Sequence, residues 1–145
     1  MKNLPNQFFY SKEEDRLNVI SHGIGFILSM IGLIFLLNKG LQDFNLLRFL
    51  SFLIYGISLS TMYIASTLYH NSKTPEGRYK FRLFDMVSIY LLIAGSYTPF
   101  TLTVLIDSGG LTLFSLVWVI AFIGIIWKIF TVGNYNTVSY THLTL

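Results

Sequence analysis

Cysteine is absent from this chain, charge is scarce, and proline occurs only three times in 145 residues. With no thiol present, disulfides, thiolate metal sites and cysteine nucleophiles are all excluded. Charged residues make up 12% of the sequence, against about 25% in ordinary soluble domains. A net charge of +3 is too thinly spread to form the dense basic face that nucleic-acid binding needs, so no nucleic-acid partner is expected. A cleavable signal peptide is not evident either, because Glu13, Glu14 and Asp15 precede a first apolar run too long for a signal core.

What is present is apolar and gathered in blocks. Hydrophobic residues form 53% of the chain, and Val19–Asn38, Phe49–Tyr69, Met86–Ile106 and Leu111–Trp127 contain no Asp, Glu, Lys or Arg. A helix of about 20 residues crosses the roughly 30 Å hydrocarbon layer. The fourth run reaches that length if Lys128 snorkels and Ile129 and Phe130 are included. Lipid offers the backbone no hydrogen-bond partners, and the alternation of a β-barrel is missing, so each span must be helical. The expectation is an all-α integral membrane protein, with an N-terminal segment at 1–18 and a membrane domain at 19–137. Its helices are placed near 19–38, 47–70, 84–106 and 111–130. Membrane lipids are the expected surroundings and partners.

Loop charge orients the chain. Asn71–Phe84 carries Lys73, Arg78, Lys80 and Arg82 against Glu76 alone, whereas Asp107–Gly110 has no basic residue. The positive-inside rule then puts the N-terminus in the cytoplasm, although Lys39–Arg48 falls outside with two basic residues. Tyr55, Tyr69 and Trp127 sit toward span ends, as interface aromatics do. Phe8, Phe9 and Tyr10 suggest a short segment on the membrane surface. Glu14, Asn18 and His22, spaced by four, share a helix face.

Polar groups within spans are costly and invite a functional reading. His22, His70 and Asp85 all fall near the cytoplasmic leaflet in this threading. Ser66 lies one turn before His70, which puts a hydroxyl and an imidazole on one face. With Asp85 across a short connection, they make half of a zinc site: one nitrogen ligand, one carboxylate and one hydroxyl. Other roles stay open. His70 can be an interfacial residue, Asp85 can cap or charge-complement the start of helix three, and Ser66 can pack or bond to its own helix. Catalytic zinc takes three protein ligands, and a third is not visible unless His22 helps.

Small residues speak of packing. Gly23, Gly25, Ser29 and Gly32 narrow helix one, and Gly56, Ser58, Ser60 and Ala65 narrow helix two. Pro99 should bend helix three. No ring of charges lines a span, so a broad ion pathway is not indicated.

Several of these residues occur in ordered motifs. Glu13-Glu14…Asn18…Ser21-His22-Gly23-Ile24-Gly25, Ala65-Ser66-Thr67-Leu68-Tyr69-His70 and Ile93-Ala94-Gly95-Ser96-Tyr97-Thr98-Pro99-Phe100 resemble the bacterial hemolysin III proteins. Trp118, Gly124 and Lys128 fit that family's fourth helix. The family is similar to the progestin and adipoQ receptors and, more distantly, to alkaline ceramidases. The resemblance implies a seven-helix bundle in the bacterial cell (inner) membrane, with zinc bound near the cytoplasmic face. It implies His70 as a direct zinc ligand, Asp85 as the holder of the water that zinc activates and as general base, and Ser66 as a supporting or transition-state group. From the distant relatives it also implies hydrolysis of a lipid amide. A pore-forming, cytolytic protein and a receptor-like membrane-homeostasis protein with structural zinc are the alternatives.

Two departures stand out. Met86 follows Asp85 where these proteins often have histidine. The family's remaining zinc ligands form an H-x-x-x-H pair on helix seven, and this chain ends before helix five, so as given it cannot complete that site. Val138–Leu145 reads as the translation of a transposase adapter used in sequencing libraries. On that expectation the segment is an artefact and His142 has no chemical role.

Overall fold

Helix starts are set by capping groups, and these lie outside the charge-free runs. The computed structural model describes residues 10–42 and 44–141, with side chains up to Thr131. Helix α1 spans Lys12–Leu41. The Ser11 hydroxyl accepts from the Glu14 amide at 3.2 Å, and the Ser11 amide donates to the Glu14 carboxylate at 2.9 Å. This is a capping box, reinforced by Glu13, Glu14 and Asp15 at the positive end of the helix dipole. Helix α2 spans Leu46–Asn71, with the Asn45 side chain accepting from the Arg48 amide. Helix α3 spans Pro75–Pro99; Thr74 caps it, Pro75 supplies a preset first turn, and Glu76 follows. Helix α4 spans Gly110–Thr141.

The differences from the sequence expectation follow from this chemistry. Hydropathy marks where hydrocarbon begins, near residues 19 and 84, whereas the helices begin at Lys12 and Pro75. Part of the N-terminal 1–18 segment is thus helical, and the basic connection shrinks to Ser72–Thr74. Asp85 does not open α3. It lies in the third turn, and Thr74 and Glu76 do the capping. The backbone of Val138–Thr141 continues α4, while Phe8, Phe9 and His142–Leu145 lie outside the described residues.

Pro99 ends the regular part of α3. It has no N–H for the preceding turn, and Phe100–Val104 wind more widely, with the Leu105 amide donating to the Phe100 carbonyl at 2.9 Å. A short 3-10 turn at Ile106–Ser108 leads to Gly109, whose φ of 87° is open to glycine and disfavours other residues.

All four helices are long and apolar enough to cross a membrane, and no strand occurs among the described residues. Each packs on its neighbours in sequence: α1 on α2, α2 on α3, α3 on α4. Only 6% of the most apolar stretch of α1 and of α4 is buried, against 33% in α2 and α3, so the outer helices present broad apolar faces. Ser29 and Ser60 bridge α1 and α2 through hydroxyls 2.9 Å apart. Gly56 admits Leu33 and Gly95 admits Ser58, contacts that a Cβ would block. Gly25 lies on the same seam against Tyr63, but Gly23 and Gly32 face open space and are not part of the narrow side. Trp118 ties α4 to α3 by donating its indole N–H to the Thr98 hydroxyl at 3.1 Å.

Candidate functional site

The start of α1, the end of α2 and the start of α3 converge at one end of the bundle, where most of the cations lie. Asp15 is the hub. The Arg78 guanidinium donates through one nitrogen to both Asp15 oxygens, at 2.7 and 2.8 Å, and His70 Nδ1 lies 2.9 Å from Oδ1. An ion-paired carboxylate is an acceptor only, so the imidazole N–H points at Asp15 from Nδ1. That leaves Nε2 carrying the lone pair in neutral His70. The Asn18 amide nitrogen, 3.5 Å from Nδ1, is then a neighbour and not a donor.

Arg78 is 3% exposed and is held from several sides. Its second terminal nitrogen donates to the His70 and Ser72 carbonyls, at 3.4 and 3.3 Å. A cation thereby satisfies carbonyls left over at the C-terminus of α2, where the helix dipole favours positive charge. The guanidinium also lies 5.1 Å from the centroid of the Tyr69 ring. Tyr69 was expected among the interface aromatics, but it is buried beneath Arg78, with Tyr10 edge-on to it.

Deeper along the helices sit the residues singled out from sequence. His22 stacks parallel to His70, ring centroids 6.1 Å apart and planes within 4°. Ser66 is 4% exposed. Most span hydroxyls bond to a carbonyl of their own helix, as Ser58, Thr67, Ser88 and Thr98 do. Ser66 instead faces the Asp85 carboxylate, with His70 and His22 close by. The fold thus brings Ser66, His70, Asp85 and His22 together from three helices. Glu14 does not join them; it is exposed and folded back on Ser11.

Sequence reasoning missed Asp15 and Arg78. A signal was available, because Asp15, Asn18 and His22 follow the 3–4 helical spacing better than Glu14 does. The reach of Arg78 back onto α2 had no local signature.

His70 through Nε2 and Asp85 through its carboxylate are the residues here that could hold a metal ion. An imidazole whose Nδ1–H is held by a carboxylate is the usual metal-facing arrangement, and Asp85 adds an oxygen. Among the described residues, no group of three or more His, Asp or Glu side chains is arranged to hold a metal ion.

With this geometry in place, comparison with known proteins decides the family. A family model described as Haemolysin-III related matches residues 10–145. This chain belongs to the hemolysin III family. It is 41% identical over 127 residues to Hemolysin-3 of Bacillus cereus, covering 88% of this chain and 58% of that protein. It is 37% identical over 130 residues to the Hemolysin-3 homolog of Bacillus subtilis (strain 168), covering 90% of this chain and 61% of that protein. The hemolysin III chain therefore spans about six-tenths of the length of these relatives. No solved structure gives a significant match. The protein is a multi-pass membrane protein of this family.

Proposed function

We propose that this hemolysin III chain carries the N-terminal share of a zinc-dependent lipid-amide hydrolase site, within a seven-helix bundle whose N-terminus lies in the cytoplasm of a bacterial cell. The observation that supports it most is the meeting of Ser66, His70 and Asp85 at one end of the bundle, with His70 Nδ1 taken by Asp15. His70 Nε2 would be the ligand, and the further ligands would come from the part of the family's length this chain does not span. Bound there, zinc would polarise an amide carbonyl and bring the pKa of a water toward about 7. The residues here would do the rest. Asp85 accepts the proton of the attacking water, Ser66 orients the Asp85 carboxylate, and the Asp15–Arg78 pair keeps the His70 ring in one tautomer and one direction.

Zinc content of the complete protein tests the metal, and ceramide-type amide turnover tests the chemistry. His70→Ala is expected to remove most of the zinc. Asp85→Asn should retain much of it and lose at least about 100-fold in turnover, the low end of what general acid–base catalysis contributes. Unchanged zinc in His70→Ala would remove His70 from the site. Constant zinc with no turnover of any lipid amide would favour a structural metal. Vesicle leakage that a chelator leaves unaltered would favour the pore-forming class that the relatives' names suggest.

A further inference from the structure

Beside the Asp15–Arg78 pair, between the start of α1 and the end of α2 with its connection to α3, lies a cavity of about 910 Å³. Lys12, Arg16 and Lys73 line it at the polar side, and Val19 and Ile20 line it where the charge-free run of α1 begins. Its one carboxylate, Asp15, is already committed to Arg78 and His70. No ion pair among the described residues neutralises Lys12, Arg16 or Lys73. The cavity is thus positive on balance, sits at the depth where hydrocarbon gives way to water, and is apolar on its membrane side.

We propose that this cavity binds the phosphate of an anionic phospholipid, with the acyl chains running down the Val19–Ile20 face of α1. Lysine ammonium groups suit phosphate as point charges on flexible stems, and a fixed depth matches them to a headgroup better than to a soluble anion. The exposed Ile20 and Ile24 continue the path on which an acyl chain would lie. The phosphate contacts assigned here, Lys12 and Lys73, are separate from Ser66 and Asp85, which do not line the cavity, while His70 borders it beside Asp15.

The test is native mass spectrometry of the whole chain in detergent, titrated with phosphatidylglycerol, phosphatidylcholine of the same chain length, and inorganic phosphate as competitor. Phosphatidylglycerol is expected to be retained and phosphatidylcholine not. Lys12→Gln with Lys73→Gln should weaken retention about tenfold. Lys39→Gln with Lys80→Gln removes the same charge outside the cavity and should leave retention unchanged; all four positions are exposed, so both variants should keep their helical circular dichroism. Equal weakening by the two pairs would reduce the effect to diffuse attraction and overturn the site. Equal retention of phosphatidylcholine would overturn its preference for an anionic headgroup. Displacement by millimolar inorganic phosphate would overturn the lipid assignment in favour of a free-phosphate site.

Discussion

Asp15 joins three helices through one carboxylate, and its loss should be felt as a buried charge left alone. Arg78 is 3% exposed and Asp15 retains 18% of its side-chain exposure. Removing one partner of a buried pair costs about 3–5 kcal/mol, and the residual exposure of Asp15 puts the expectation at the lower end. Asp15→Ala should therefore lower stability in detergent by about 3 kcal/mol, read from thermal unfolding. Asp15→Ala with Arg78→Met should lose less than the two single changes summed, because the stranded charge is gone. Additive losses would show that the pair contributes nothing of its own. At this scale Ser66 could be read from sequence as a polar group in an apolar run, and His70 and Asp85 as polar groups at the edges of two such runs. Asp15 could not, because it sits in a charged stretch that looks like ordinary solvated surface.

Among the elements, caps and close approaches carry the argument. Ser11→Ala should cost about 1 kcal/mol and speed hydrogen exchange at the first amides of α1, because the reciprocal bonds with Glu14 are lost. Unaltered exchange there would mean that packing, not the cap, holds the turn. Gly95→Val should cost about 1–3 kcal/mol by forcing Ser58 and α2 away, whereas Gly23→Ala, which meets nothing, should be neutral or slightly stabilising. Both signals for early helix starts were written in the chain, as Ser11-x-x-Glu14 and Thr74-Pro75-Glu76. A search for charge-free runs passes over them, because it measures hydrocarbon thickness and not helix length. Which glycines face a neighbour is different. Gly23 and Gly25 differ by two residues and by slightly more than a half-turn, and only the packed helices show which one meets α2.

For the whole molecule, threading is checked cleanly because the chain has no cysteine. Ser108→Cys should react with a membrane-impermeant thiol reagent in intact cells, and Lys80→Cys only after the membrane is opened. The reverse pattern would invert the N-inside proposal. The broad apolar faces left on α1 and α4 are what lipid, or further helices of a longer bundle, would cover.

Composition and the grouping of apolar residues into four charge-free runs determined that this protein lies in a membrane as four apolar helices, because so much hydrocarbon cannot be hidden from water in a chain of this size. The order of its motifs was enough to suggest the family. Only the tertiary structure decided which polar groups meet. A helix specifies the face a residue occupies but not what stands opposite, and Asp15, His70 and Arg78 are brought together by how three helix ends converge. The same convergence placed Asp85 beside Ser66 and not at a helix cap. Local chemistry sets the elements, and the packing between them sets the site.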